Sequence, residues 1–309
     1  MMRVLITGGA GFIGSHIAAV HVVRGDDVLI VDDLSGGADG PPDGCDFRQV
    51  DIGDSDAIST TMSWFAPHMV SHHAALVSVR RSRLEASRFS SVNVVGTVNV
   101  LEACVELSDR PVFIMASSGG AVYGEPDRVP IIESDPIKPI SIYGITKACA
   151  EMFVDRYSAL GLRCVTLRYG NVYGYGQRPD VGCGVISIFT DALLSGRTPT
   201  IIGDGSKVRD YVHIDDVVRA NLAVADGAGV GKYNVGTGVG TTDRELYDII
   251  SSRCGVDREP EFVSANPDEV LWSMLDCERA RTALGWKPIV DLDHGIDDTI
   301  EAWKEGHGG

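Results

Sequence analysis

The stretch "RVLITGGAGFIGSHIAAVHVVRG" at residues 3–25 limits the fold more than any other part of the chain. An apolar run is followed by glycines at positions 8, 11 and 14 and then by apolar residues at helical spacing. A chain with this pattern runs a short buried strand, turns sharply where no Cβ intrudes, and packs a helix back on the strand. The run "DVLIVDD" at 27–33 supplies a second strand, apolar throughout. Strands that are apolar on both faces belong to a parallel sheet covered on both sides. The alternation continues through "FRQVDI", "HMVSHHAA", "RPVFIMASS" and "LRCVTLRY", with amphipathic stretches at Leu84–Leu107 and Tyr143–Leu160 predicted as helices between them. The fold class is therefore α/β, a doubly wound parallel sheet of the Rossmann kind, over residues 1–170.

After Asn171 the texture changes. "YGYGQRPDVGCG" is a long glycine-containing connection, and the elements beyond it are shorter and mixed. They comprise a helix near Val185–Ser195, strands at "TPTII" and "VRDYVHI", and helices near Asp215–Ala225 and Thr242–Cys254. Residues 171–309 thus form mainly a smaller mixed α/β lobe for substrate, with a segment at about 210–235 interleaved with the main sheet. The closing "EGHGG" is expected to fray.

Bulk properties exclude several classes of function. The 309 residues carry a formal net charge of −16, a field that repels nucleic acid. Eighteen consecutive apolar residues occur nowhere, so no membrane-spanning helix is expected. The N-terminus does not read as a signal peptide, because its apolar run breaks at Thr7-Gly8-Gly9. Seven cysteines without a CxxC pair fit reduced thiols and a cytoplasmic location better than disulfides or a metal site.

The glycine spacing has a chemical reading. Gly8, Gly11 and Gly14 let the backbone approach a pyrophosphate, which then lies on the helix N-terminus formed by Phe12, Ile13 and Gly14. Asp32 follows Gly14 by eighteen residues, at the end of the second strand. A carboxylate there accepts the adenosine ribose hydroxyls and repels a 2′-phosphate, so NAD is favoured over NADP, with Asp33 alongside. Asp51 and Ile52 in "VDIGD" stand at a third strand end, placed to run beside the adenine.

Ser117 and Ser118 end the strand "PVFIMASS", at the carboxyl edge where ligands of parallel sheets sit. Tyr143 and Lys147, in "YGITK", are four residues apart and share one helix face. An ammonium beside a phenol favours phenolate and lowers the tyrosine from its usual pKa of ~10, giving a base near neutral pH.

Ten segments in register carry a family resemblance: "TGGAGFIGS", "VDDLSGG", "HHAALVSVRRS", "NVVGTVNVLEAC", "SSGGAVYGE", "YGITK", "LRYGNVYG", "IIGDGSKVRDYVHIDDVV", "YNVGTG" and "ALGWKP". On them the chain is identified as a member of the extended short-chain dehydrogenase/reductases, in the NAD-dependent nucleotide-sugar epimerase/dehydratase branch. The resemblance implies that Ser118, Tyr143 and Lys147 are catalytic. It implies that Ala74 and Asn93 border the cofactor, that Asn171, Val185 and Arg209 border a nucleotide sugar, and that Arg209 pairs its diphosphate. Tyr211 and Asp215 then belong to lobe packing and a helix cap. It also implies a homodimer through helices Leu84–Leu107 and Tyr143–Leu160.

Within the branch, 4,6-dehydratases carry an Asp-Glu pair after the catalytic hydroxyl, where this chain has Gly119-Gly120, which moves no protons. The resemblance therefore points to 4-epimerases of the UDP-glucose/UDP-galactose type. They oxidise C4 reversibly to a 4-keto sugar and return the hydride to its other face. A dehydratase or reductase of the same family is the alternative. One departure stands out: relatives carry basic residues in the segment here written "SANPDEVLWSMLD", yet no Lys or Arg lies between Arg258 and Arg279. Either Arg209, with Arg178, is left to hold the diphosphate, or the substrate is not a standard UDP-hexose; the small Ser273 would leave room for an N-acetyl group. His72-His73 reads as packing and not as a metal pair, since neighbours on a strand face opposite ways. Cys149, His213 and His294 read as structural, and no metal is expected.

Overall fold

The computed structural model describes residues 1–37, 40–179 and 184–307; Cys183 and the closing Gly308-Gly309 lie outside them. The chain begins with β1 (Arg3–Thr7), α1 (Phe12–Val23), β2 (Asp27–Asp32), β3 (Asp46–Gln49), α2 (Ser55–Phe65) and β4 (Met69–His72). Short helices α3 (Val79–Leu84) and α4 (Ala86–Ser90), a π-helical turn (Ser91–Gly96) and α5 (Thr97–Glu106) lead to β5 (Val112–Ser118). Then come α6 (Gly119–Val122), α7 (Ile142–Ala159), β6 (Cys164–Tyr169), β7 (Asn171–Tyr173), α8 (Val185–Leu194), β8 (Thr200–Ile202) and β9 (Val208–His213). The remainder is α9 (Ile214–Ala225), β10 (Gly231–Val235), β11 (Gly240–Thr242), α10 (Asp243–Cys254), β12 (Glu261–Val263), α11 (Glu278–Leu284) and α12 (Leu292–His307).

Among the described residues, seven strands form one sheet in the order β3-β2-β1-β4-β5-β6-β10, and every pair is parallel. The side-chain period of two explains why these strands are apolar throughout. Val4 and Ile6 face one core with Ile17 of α1 and Val217 of α9, whereas Leu5 faces the other with Ile58 of α2, Leu101 of α5 and Val154 of α7. The chain winds outward from β1 to β3 and then crosses back to β4, so β1 and β4 flank the switch point where a ligand crevice forms.

At Gly170 the chain leaves the sheet for a second layer. A Cβ there would stand 2.7 Å from the Asp210 carbonyl oxygen, so only glycine lets β6 run on into β7. Strands β7, β9 and β11 form a small sheet and β8 pairs with β12. A third core, with Phe189 of α8, Ile250 of α10 and Ile300 of α12, holds this lobe together. The chain then returns: α9 packs on α1, β10 joins the main sheet, and α11 packs on β10.

One local difference from the sequence reading has a physical cause. The expected single helix Leu84–Leu107 is interrupted at Glu85 and opens into the π turn. That turn places Asn93 where its amide bonds both backbone groups of Leu76, at 2.8 and 3.0 Å. Of the segment "EGHGG", expected to fray, α12 includes the residues up to His307, and Gly308-Gly309 lie outside the described residues.

Candidate active site

A crevice of about 1190 Å³ runs from the glycine turn after β1, along the carboxyl edge of the main sheet, to the inner wall of the lobe. Drug-sized ligands occupy pockets of ~300–1,000 Å³, so this one has room for a cofactor and a substrate together.

The dinucleotide end is built by backbone. Gly8 adopts φ +67°, and a Cβ on it would stand 2.5 Å from the Ala74 amide nitrogen. A Cβ on Gly14 would collide with the Gly8 carbonyl oxygen, so this glycine closes the turn onto α1. Gly11 differs: its Cβ would meet only the Gly8 carbonyl oxygen, at 3.3 Å, and it lines the crevice. As N-cap of α1 it offers no side-chain cap, and no acid lies in the first turn, so Phe12, Ile13 and Gly14 present an uncompensated helix N-terminus. Asp32 caps the turn, its carboxylate accepting the amides of Ala10 at 3.1 Å and Leu34 at 2.8 Å. Burial pushes its pKa above the ordinary value. Each oxygen keeps a further lone pair for a ribose hydroxyl. Exposed Asp33 accepts the Ser35 amide at 2.9 Å. Asp51 accepts the Gly53 amide at 2.7 Å, Asn99 donates to the Ile52 carbonyl at 2.9 Å, and Asp51 and Ile52 line the crevice. The anion-accepting helix end, the cradle at Gly11 and the carboxylate on β2 together fit NAD.

Asn93 is placed behind the crevice wall. Its amide is engaged by Leu76, which lines the crevice, and by Thr146 of α7, at 3.0 Å. Ala74 lines the crevice directly, with its amide donating to the Thr7 hydroxyl at 3.3 Å.

Ser118, Tyr143 and Lys147 line the middle of the crevice. Ser118 ends β5. Its neighbour Ser117 turns the other way and donates to buried Glu151 at 2.6 Å, so the two serines have separate tasks. Tyr143 and Lys147 project from the first turns of α7, whose N-cap Ser141 accepts the Gly144 amide at 3.0 Å. Gly144 brings that helix close: a Cβ on it would stand 2.7 Å from the Ala121 carbonyl oxygen, just beyond Ser118. The Tyr143 amide also donates to the Ser82 hydroxyl at 3.1 Å, tying α7 to α3. Lys147 is 5% exposed and donates to the Ala116 carbonyl at 2.8 Å. Burial pushes its pKa down to about 8, with Glu151 one turn away opposing the shift, so it remains an ammonium at neutral pH. Under α7, Glu151 is gripped by Arg168 at 2.6 Å, a buried pair that fixes the helix against β6.

The two histidines separate as strand geometry requires. His72 bonds Thr7 at 2.7 Å and Thr97 at 2.9 Å, whereas His73 bonds Ser71 at 2.9 Å and stacks on Tyr169 at 6.4 Å. Burial first, then the Lys147 charge, holds both near pKa 3, as neutral rings. Among the described residues no three metal-ligating side chains come together.

On the lobe side, Asn171, Val185 and Arg209 line the crevice. Gly120 faces Asn171 and Ser273: its Cβ would stand 3.3 Å from Asn171 Oδ1 and 3.7 Å from Ser273 Oγ. No proton-moving side chain occupies that place. Arg209 donates to the carbonyls of Val208 at 2.9 Å and Val270 at 2.7 Å. Arg178 lines the crevice but donates to the Gly37 carbonyl, on the loop that follows Asp32. His213 caps α9 by accepting the Asp215 amide at 3.3 Å, and Asp215 accepts the Tyr175 hydroxyl at 2.8 Å.

Sequence reasoning missed Lys207, Asp243 and Glu269, which also line this wall. Lys207 Nζ lies 2.6 Å from Glu269 and 3.2 Å from Asp243. Its signal was present in "GSKVRDY", two residues before Arg209, but nothing in the local pattern tells which way it faces. Asp210 was missed as well. It is buried and accepts the amides of Thr237 at 2.7 Å, Gly238 at 3.0 Å and Leu275 at 3.1 Å, joining three lobe segments.

Residues 4–236 match the NAD dependent epimerase/dehydratase family. The chain is 42% identical to the UDP-glucose 4-epimerase of Mycolicibacterium smegmatis, over 98% of this chain and 99% of that protein. Among solved structures, a UDP-glucose 4-epimerase of Thermotoga maritima with UDP-glucose superposes with a TM-score of 0.95 at 39% identity, covering 99% of this chain and 100% of that one. A Thermus thermophilus UDP-glucose 4-epimerase in complex with NAD gives 0.90 at 37% identity, covering 98% and 99%.

Proposed function

The chain belongs to the NAD-dependent epimerase/dehydratase family, and from that membership we propose that it interconverts UDP-glucose and UDP-galactose at C4. It is an NAD-dependent epimerase. The observation that carries the choice within the family is the site itself, where Ser118, Tyr143 and Lys147 share the crevice with Gly120, while a Cβ on neighbouring Gly119 would meet Leu275. A dehydratase must move protons at neighbouring carbons, and glycines there cannot.

Bound along the glycine turn and Asp32, NAD supplies a hydride acceptor and donor for C4. The Tyr143 oxygen takes the proton of the C4 hydroxyl and gives it back when the hydroxyl is restored on the other face. Lys147, anchored on the Ala116 carbonyl, lends the positive charge that favours the phenolate. Ser118 holds the same sugar oxygen by a hydrogen bond. Asn171, Val185 and Arg209 bound the nucleotide side, with the guanidinium fork suited to phosphate oxygens. Gly120 lines the crevice without a side chain, which supports room for a substituent on the sugar.

The division into a sheet domain over 1–170, with later segments at about 210–235 interleaved, and a lobe mainly over 171–309 is part of the same reading, supported by the separate lobe core and by β10 in the main sheet. A cytoplasmic homodimer completes it. The outer faces of the π turn and α7 expose Val95, Ile145, Met152 and Phe153, with Met152 70% exposed, an apolar face that a second copy would cover. Light scattering at micromolar concentration tests this, and a monomer would remove it. The activity is tested by following anomeric proton signals of UDP-galactose with purified protein and no added cofactor. UDP-glucose accumulating to a stable mixture is the expected result. An unchanged spectrum from protein that holds NAD would sink the substrate assignment.

A further inference from the structure

We propose that Lys207 is the second cation that holds the substrate's diphosphate, acting from β9 beside Arg209. The inference rests on the nucleotide-sugar reading above and adds a residue to it. A sugar diphosphate carries one negative charge on each phosphate, and Arg209 answers one of them. No Lys or Arg lies between Arg258 and Arg279, so a second cation has to come from elsewhere in the fold.

The lobe wall supplies it. Lys207 enters β9 two residues before Arg209, and both line the crevice. Its side chain is 12% exposed, with Nζ 2.6 Å from Glu269 Oε2 and 3.2 Å from Asp243 Oδ2. Arg209 donates to the carbonyl of Val270, the residue after Glu269, so the two cations converge on one short stretch of chain. An ammonium has three donors; Glu269 and Asp243 take two, leaving one for a phosphate oxygen. Glu269 is itself shared, and its neighbour Asp268 is paired as well. Asn266 donates to Glu269 at 3.2 Å, and Arg80 and Arg83 approach Glu269 and Asp268 at 3.9 and 3.8 Å from α3. Around this stretch Lys207, Arg209, Arg80 and Arg83 meet four carboxylates, Glu269, Asp243, Asp268 and Glu125, the last accepting the Leu271 amide at 2.6 Å. On a chain of net charge −16, a wall where cations match acids one for one presents an anion with no excess of like charge. Glu269 and Asp243 hold Lys207 at the crevice.

Calorimetric titration of the NAD-loaded protein with UDP and with uridine tests the assignment in wild type, Lys207→Gln and the double variant Lys207→Gln/Glu269→Gln. Lys207→Gln is expected to weaken UDP about tenfold or more, the worth of a charge-assisted hydrogen bond. It should leave uridine binding and NAD content unchanged, which also reports that the variant is folded, and raise KM with little change in kcat. The double variant should stay weak. Unchanged UDP affinity in Lys207→Gln would overturn the proposal. So would recovery in the double variant, because Lys207 would then serve only to mask Glu269. Failure of the wild type to bind UDP would instead count against the nucleotide-sugar reading itself.

Discussion

Along the floor of the crevice, Thr7, Asp32, His72, Ser118 and Tyr169 each end a strand of one parallel ladder, and hydrogen-bonded register fixes their relative positions. The facing wall is assembled from short pieces far apart in sequence: β7, β9, α10 and the 266–273 segment. Side-chain ties hold it together, among them Lys207 to Glu269 and Asp210 to Leu275. The floor is positioned by backbone and glycine contacts, the wall by charges. A change on the floor should therefore act on chemistry and cofactor, and a change on the wall on substrate affinity.

The largest expected effect lies on the floor. Tyr143→Phe should lower kcat by about 10²–10⁴-fold, the usual contribution of a general acid–base group, while bound NAD and thermal stability stay near wild type. Loss of NAD or of fold in that variant would blur the distinction between floor and wall. Gly144→Ala is a sharper trial of backbone positioning. In an ordinary helix the change stabilises by about 0.5–1 kcal/mol, but here the new Cβ would lie 2.7 Å from the Ala121 carbonyl oxygen. Destabilisation by about 1–3 kcal/mol and a fall of about 10²-fold in kcat, as for a 1 Å misplacement, are expected in melting and rate measurements. A stabilised, active variant would break the argument.

The pH dependence gives a smaller effect whose sign is informative. Burial holds Lys147 near pKa 8 in the folded chain against 10.5 for the ordinary side chain. Above pH about 8 the ammonium is lost, and kcat should fall by about tenfold per pH unit as the charge that favours the phenolate disappears. Stability responds in the opposite sense. The burden of burying this ammonium is present below about 8 and relieved as pH rises toward 10.5, because the unfolded chain then binds the extra proton. A rate profile flat to pH 10 would remove Lys147 from the mechanism. Asp32→Ala should have the mildest effect, lowering NAD affinity by about tenfold and narrowing the preference over NADP, read from retained cofactor. It should leave the KM for the nucleotide sugar unchanged.

Most of the floor is legible in the amino-acid sequence. The glycine spacing, the strand-end carboxylate and the Tyr143–Lys147 pair are local patterns, and local patterns set local geometry. The π turn is not legible there, because Leu84–Leu107 has good helical periodicity and the interruption serves Asn93's bonds to Leu76, seventeen residues away. Cys149 and His294 read as structural, and nothing in the crevice draws on them.

What the sequence determined by itself is the parallel sheet and the glycine turn and strand-end residues that line its carboxyl edge, since periodicity and glycine placement act over a few residues. The tertiary structure alone brought Lys207, Glu269 and Asp243 together on one wall of the crevice. Lys207, Glu269 and Asp243 are distant in sequence, each is unremarkable in its own segment, and they meet only because β9, α10 and the 266–273 segment close on one another. Electrostatic partnership depends on distance in space, which no local pattern encodes.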